Sequence, residues 1–228
     1  MKIVCLGDSL TYGYGVPRKD GWVSLAAQAT GHTLVNKGVS GDTTGGMLAR
    51  FARDVLAQRP RRVLLMGGVN DLLFGGSDAP ARANLAALAH QAAAAGVRPM
   101  IGLPPPVYPD AVPPAWRTLA RWDTMVPALD AYRAWLTDFA RAFGLPTVDF
   151  AVPGLLPPEG AGHYLDGLHP DAQGHRLMAR AAPFTFIWSA WLPLSMVMVK
   201  ALSSPITSSW TVSPSSTGSP YRLAPLRL

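Results

Sequence analysis

The sequence predicts an α/β protein: a three-layer α/β/α domain around a five-stranded parallel sheet in the doubly wound, flavodoxin-like order 2-1-3-4-5. Three observations predict it. Short apolar runs such as Lys2-Ile3-Val4-Cys5-Leu6 and Arg62-Val63-Leu64-Leu65-Met66 are too short for helices and stop at glycine, as buried strands do. Segments of helical length separate them, at steps of roughly 30–40 residues, which calls for right-handed crossovers with helices on both faces of the sheet. Polar, glycine-rich stretches follow the strands, and in open α/β sheets that C-terminal edge is where ligands bind.

Each element has a local reason. After the first strand, Asp20 to Thr30 reads as an alanine-rich helix capped by Asp20 and stopped at Gly31. Thr33 to Asn36 is the second strand. Asp42 and Thr43 are cap candidates for a helix from about Thr44 to Gln58, with Pro60 beyond its end. Arg62 to Met66 is the third strand, closed by Gly67-Gly68. Pro80 to Ala95 is a helix with Ser77 or Asp78 as cap, and Val97 to Leu103 is the fourth strand. Pro104-Pro105-Pro106 opens a long loop reaching Pro114, the kind of loop that serves as a binding loop or lid. Trp116 to Phe143 is helical in period, with a break expected near Pro127. Pro146 to Phe150 is the fifth strand, and Asp171 to Ala182 the last helix.

With 228 residues, 49% of them hydrophobic, the chain can bury one good core and is expected to form one domain. The net charge of +6 is diluted over the chain rather than gathered into a basic stripe interleaved with aromatics, which argues against nucleic acid as a partner. A single cysteine, Cys5, excludes an internal disulfide and cysteine-based metal knuckles. No His, Asp or Glu grouping has metal-ligand spacing, so neither a metal nor a cofactor is expected. Too few residues precede Gly7 for a signal peptide, so the chain as it stands reads as cytoplasmic, or as exported if a leader has been removed.

Composition changes after residue 183. Residues 184–228 are rich in Ser, Pro, Thr, Leu and Trp and carry no acid. The apolar run Phe184 to Val199 is broken by Pro193 and falls short of the roughly 20 residues of a membrane span, so membrane contact through it is disfavoured. The expected organisation is a 1–183 domain followed by an atypical, poorly ordered 184–228 tail.

Four stretches carry chemistry: Gly7-Asp8-Ser9-Leu10, Asn36 to Thr44, Gly67-Gly68-Val69-Asn70-Asp71, and Asp166-Gly167-Leu168-His169-Pro170. A free serine hydroxyl is a poor nucleophile and needs a base. His169 can supply it, and Asp166, three residues earlier, is close enough to orient the imidazole. An oxyanion needs donors; the backbone N–H groups of Ser9 and Gly41 and the amide of Asn70 are of the right kind. Asp8 and Asp71 read as loop-bracing acceptors rather than further catalytic acids. Tyr12, Tyr14, Phe74, Tyr108 and Trp116 fall on loops of the same edge and are candidates for an apolar acyl or aryl pocket.

These four blocks, in this order, resemble the SGNH hydrolases, the GDSL esterase/lipase family, over residues 2 to about 182. The resemblance implies Ser9 as nucleophile, Asp166 and His169 completing a triad, and Ser9, Gly41 and Asn70 forming the oxyanion hole. The Ser-Gly-Asp-Thr-Thr ending of the second block is most similar to the bacterial arylesterase, lysophospholipase and acyl-CoA thioesterase branch. The implied activity is hydrolysis of a small-molecule carboxylic ester or thioester through an acyl-serine intermediate. The tail has no counterpart in the family pattern.

Other readings compete with it. A carbohydrate O-deacetylase would use the same scaffold but wants more polar loops than residues 104–114 offer. A non-catalytic flavodoxin-like module would bind its ligand at the same edge. Ser40 reads as a turn residue, and Gly41 to Gly46 lacks the Gly-Lys-Ser/Thr ending of a phosphate-binding loop. His163 reads as loop filler and His175 as a packing or capping residue.

Overall fold

The structure is a computed structural model in which residues 1–118 and 120–182 are described. The expectations for the 184–228 tail, including its disorder and membrane contact, lie outside the described residues.

Five strands form one all-parallel sheet in the order β2-β1-β3-β4-β5. They are β1 (Lys2–Gly7), β2 (Thr33–Gly38), β3 (Arg62–Met66), β4 (Arg98–Leu103) and β5 (Thr147–Asp149). β1, β3 and β4 are buried along nearly their whole length, as central strands covered on both faces must be. The edge strands β2 and β5 are more exposed. Register pairs Leu6 with Lys37 and with Leu65, so β1, β2 and β3 end side by side and their following loops emerge together.

The helices are α1 (Ser9–Tyr12), α2 (Trp22–Thr30), α3 (Thr44–Ala49), α4 (Phe51–Asp54), α5 (Val69–Gly75), α6 (Ala79–Ala94), α7 (Trp122–Ala142) and α8 (Ala172–Ala181). They flank the sheet: α2 packs against α8, α3 against α6, and both α6 and α7 against β4. Among the described residues, no helix is long and apolar enough to cross a membrane.

Several helices depart from the sequence reading. Asp20 does not cap α2; it ends a short 3-10 turn, and Gly21 holds the cap position with no side-chain bond. The first N–H of α2 is met from far along the chain, where His175 Nδ1 accepts from Trp22 N at 3.3 Å. Burial lowers the His175 pKa from 6.5 to about 4, and the neutral ring that results can serve as an acceptor. The expected helix over 44–58 is three pieces: α3, α4 and a 3-10 turn at Leu56–Gln58, with the first break at Arg50. Asp42 is not its cap; Thr43 is, accepting from Gly46 N at 3.3 Å.

α7 begins at Trp122 rather than Trp116, which lies in a 3-10 turn, and it runs through Pro127 unbroken. Pro127 forfeits a single backbone bond early in the helix. The buried stripe Met125, Leu129, Tyr132, Leu136 and Ala140 holds the helix in place regardless, each large apolar member contributing about 1.5–3 kcal/mol. Two short helices, α1 and α5, sit where loops were expected, and both carry site residues.

The largest fully buried side chains are Trp22, Tyr132, Phe51 and Phe150. Their polar atoms are satisfied: Trp22 Nε1 donates to Leu10 O at 2.9 Å, and the Tyr132 hydroxyl donates to Gly67 O at 3.0 Å. Both anchors therefore grip the chain next to a candidate site stretch. Cys5 is buried in β1, where desolvation pushes its thiol pKa up and keeps it inert.

Candidate active site

The nucleophile candidate sits at an abrupt strand-to-helix junction. β1 ends at Gly7, Asp8 caps α1 by accepting from Leu10 N at 2.9 Å, and Ser9 is the first helical residue. The crossing is tight, because a Cβ at Gly7 would run into Thr11 Oγ1 and the Met66 carbonyl. Asn36 supports the far end of α1: its Nδ2 donates to Thr11 O at 2.8 Å, and its Oδ1 accepts from Gly38 N at 2.9 Å.

His169 reaches this serine from the loop before α8. Ser9 Oγ lies 2.9 Å from His169 Nε2, and His169 Nδ1 lies 2.8 Å from Asp166 Oδ2. All three side chains are buried. Asp166 Oδ1 also accepts from the backbone N–H groups of His169 (2.8 Å) and Leu168 (3.1 Å), winding the carboxylate into the turn that presents the imidazole. Burial works to raise the Asp166 pKa; the His169 ring and these two amides outweigh it and hold the carboxyl below its ordinary value. The turn is pinned further by Leu165 N to His169 O (2.8 Å) and by Tyr108 N to Gly167 O (2.7 Å). The Tyr14 ring packs on the imidazole with centroids 4.4 Å apart, and Trp116 meets it edge-on at 6.0 Å.

The donor side is assembled from β2 and β3. Gly41 adopts a left-handed φ of +77°, which a side chain would strain. Asn70 lies in the first turn of α5 and spends one Nδ2 hydrogen on Asp42 O at 2.8 Å, leaving the second for a ligand. Asp71 accepts from both Thr44 N (2.9 Å) and Thr44 Oγ1 (2.7 Å), tying α5 to the start of α3. Ser9, Ser40, Gly41, Asn70 and His169 all line one open cleft.

Asp8 braces by capping, but only half of its carboxylate is used. Oδ2 is buried without a partner, and desolvation, aided by the charges of Asp42 and Asp71, lifts the pKa to about 7 despite the Leu10 amide. This carboxyl makes no hydrogen bond to the reacting atoms: Ser9 Oγ bonds His169 Nε2 and His169 Nδ1 bonds Asp166, while Asp8 bonds Leu10 N.

The rest of the cleft is apolar, walled by Tyr14, Leu73, Phe74, Trp116, Trp122 and Leu168. Of the five pocket candidates, Tyr14, Phe74 and Trp116 are in this wall, while Tyr12 and Tyr108 are not. Tyr12 ends α1 under the Arg18 guanidinium, 5.0 Å from its ring. Tyr108 is turned inward, its hydroxyl donating to Leu155 O at 2.7 Å. Ser40, expected to be a turn residue only, lines the cleft. Leu73, Trp122 and Leu168 carry no sequence signal of their own, since their place depends on how α5, α7 and the 163–171 turn meet. Among the described residues, no three His, Cys, Asp or Glu side chains gather as a metal-binding group.

Comparison with known proteins shows the family and the fold. The model of the GDSL-like lipase/acylhydrolase family matches residues 5–177. Esterase TesA of Pseudomonas aeruginosa is 34% identical over 111 residues, covering 45% of this chain and 55% of the relative. An arylesterase of Vibrio mimicus is 40% identical over 79 residues, covering 32% of this chain and 40% of the relative. The chain thus matches about half, or less, of the length of these curated relatives. A solved G-D-S-L lipolytic protein structure from Desulfitobacterium hafniense has the same fold, with a TM-score of 0.68 and 24% identity over 81% of this chain and 99% of that one. The matched span takes in all four site stretches, and the chain belongs to the GDSL-like lipase/acylhydrolase family.

Proposed function

We propose that the protein hydrolyses carboxylic esters or thioesters with an apolar acyl or aryl group, through an acyl-Ser9 intermediate. The observation that carries this reading is the continuous Ser9–His169–Asp166 hydrogen-bond chain at the floor of an apolar cleft. Ser9 Oγ attacks the carbonyl carbon while His169 Nε2 takes its proton, and Asp166 holds the ring and its developing charge. The carbonyl oxygen, now negative, is met by the N–H groups of Ser9 and Gly41 and the free hydrogen of Asn70 Nδ2. His169 returns the proton to the departing alkoxide or thiolate. Water, deprotonated by His169, then attacks the acyl carbon and releases the acid and free Ser9.

The similarity to an esterase and an arylesterase supports the same class. The six large apolar side chains of the wall favour an apolar acyl or aryl group, because a sugar hydroxyl there would lose hydrogen bonds to water without replacement. The 35% identity over 88 residues to an acetylxylan esterase of Geobacillus stearothermophilus supports the O-deacetylase as the second reading. The test is hydrolysis of p-nitrophenyl acetate, butyrate and octanoate by the full chain and by Ser9→Ala. A rate that falls at least about 10⁴-fold in the variant is expected. Equal rates in both would reject Ser9 as nucleophile, and a flavin-bearing, inactive preparation would favour the binding-module reading.

A further inference from the structure

Arg50 is the least expected polar residue of the molecule. It stands at the break between α3 and α4, where the backbone leaves helical geometry (φ −101°, ψ 4°). Its side chain is almost fully buried, 9% exposed, and it touches neither Ser9 nor the cleft. Nε donates to Asp42 Oδ2 at 2.7 Å, Nη1 to Lys37 O at 2.8 Å and Asp54 Oδ2 at 2.9 Å, and Nη2 to Gly7 O at 2.8 Å. A buried guanidinium is costly unless every direction of its planar fork finds an acceptor; here four acceptors come from four different segments.

We propose that Arg50 is the positioning residue of the oxyanion hole, holding its three donors in one frame. This rests on the ester hydrolase reading above. Each donor is one short link from the guanidinium. Asp42, held through its carboxylate, adjoins Gly41, and its carbonyl accepts the Asn70 side chain at 2.8 Å. Gly7, held through its carbonyl, lies two residues before the Ser9 N–H and also accepts from Val39 N at 3.1 Å, at the entry to the Gly41 loop. Lys37 O anchors the strand from which that loop departs. Asp54 supplies the counter-charge and is itself held by Arg53 at 2.9 Å and Lys37 at 3.6 Å. Preorganised donors stabilise a transition state because they need not be reoriented as charge appears. A rigid, multidentate tether does that from outside the cleft.

Gly46 belongs to the same device. It lies inside α3, yet a Cβ there would run into the Asp42 carboxylate. Alanine at 46 is acceptable to a helix and displaces Asp42 from Arg50, giving an independent way to slacken the tether.

The experiment compares the full chain with Arg50→Ala, Arg50→Lys and Gly46→Ala. Turnover of p-nitrophenyl butyrate is divided by the fraction of Ser9 labelled by a fluorophosphonate, so that misfolded molecules are not counted. The expected result is a loss of about 30–100-fold in kcat with KM within about threefold, since the donors act on the transition state rather than the ground state. Affinity for n-butylboronic acid, whose tetrahedral adduct places an oxygen in the hole, falls by a similar factor. Lysine retains charge but cannot span the acceptors, so it does not rescue; millimolar guanidinium added to Arg50→Ala restores at least about tenfold. Deuterium uptake rises in residues 38–43 of Arg50→Ala, while β3 and β4 are unchanged. Turnover per labelled site within threefold of the parent, unchanged boronate affinity, or unchanged uptake in residues 38–43 would each overturn the assignment. If the parent neither hydrolyses the ester nor labels, the hydrolase reading fails, while the uptake measurement still decides whether Arg50 holds the loop.

Discussion

The two walls of the cleft are built on different physics. On one side stand Ser9, His169 and Asn70, with Asp166 behind the imidazole, each buried and each fixed by directional bonds of 2.8 to 3.1 Å to named partners. On the other stand Leu73, Phe74, Trp116 and Trp122, apolar side chains among which Trp122 Nε1 donates to Trp116 O at 2.9 Å. Phe74 is 64% exposed, at the end of a short helix. Hydrogen bonds fail when atoms move by a fraction of an ångström, whereas apolar contact is non-directional and tolerates rearrangement. The first wall is suited to one reaction and the second to a range of acyl groups, so the chemistry and the substrate preference of this protein are expected to separate under mutation.

The largest effect belongs to the polar wall. Asp166→Asn keeps the shape but leaves the His169 ring facing an amide, and kcat for p-nitrophenyl butyrate should fall about 10⁴-fold with KM nearly unchanged. Asn70→Ala removes one donor and frees the Asp42 carbonyl; a kcat loss of about 10²–10³-fold is expected in the same assay. A large rise in KM in either variant, with kcat preserved, would break the contrast between the walls.

The apolar wall should respond in the opposite sense. Phe74→Ala and Trp116→Ala should each lower kcat/KM for the octanoate ester roughly tenfold relative to the acetate ester, through KM, in line with the apolar area lost. Tyr12→Ala, outside the wall, should change neither ratio by more than about threefold; a change in chain-length preference there would mean that the cleft extends past α1.

The smallest effects concern stability, and they compare two buried titratable groups that lie near the site without reacting. Asp8 is raised from 3.8 to about 7, so the folded chain keeps a proton that the unfolded chain releases, and the stability this contributes is lost as pH rises from about 4 through 7. His175 is lowered from 6.5 to about 4, so the unfolded chain binds the extra proton in that window, and stability rises with pH there. The two slopes oppose each other between pH 4 and 6.5. Asp8→Asn keeps a capping oxygen for Leu10 and removes one of them, so thermal melts of this variant should show a midpoint that climbs by a few degrees from pH 4 to 6.5, where the parent stays flatter. A flat variant would mean that His175 is not neutral in the fold.

The fold and the polar wall were largely legible in the sequence because both are written locally. β1 and β3 are short apolar runs closed by glycine, Asp166 and His169 are three residues apart, and Asn70-Asp71 directly follows the Gly67-Gly68 stop. The helix boundaries were less legible. Pro127 argued for a break that the buried stripe of α7 overrides, and nothing in residues 44–58 marks Arg50 as the bend. The bend is set by acceptors on Gly7, Lys37, Asp42 and Asp54, three of them outside that stretch. The cap of α2 by His175 spans 153 positions and has no local signature at all.

By itself, then, the sequence determined the parallel doubly wound sheet, the serine, histidine and aspartate that meet at its edge, and the family to which the chain belongs, because periodicity, turn residues and short motif spacings encode these within a few residues. Only the tertiary structure decided which aromatics face the cleft, that Tyr14 and Trp116 flank the imidazole while Tyr12 and Tyr108 turn away, and that one arginine ties the donor loop to the nucleophile's strand. Those outcomes depend on side chains converging from segments far apart in the chain. No local pattern specifies such a meeting, because its stability comes from packing and bonding that exist only once the whole sheet has formed.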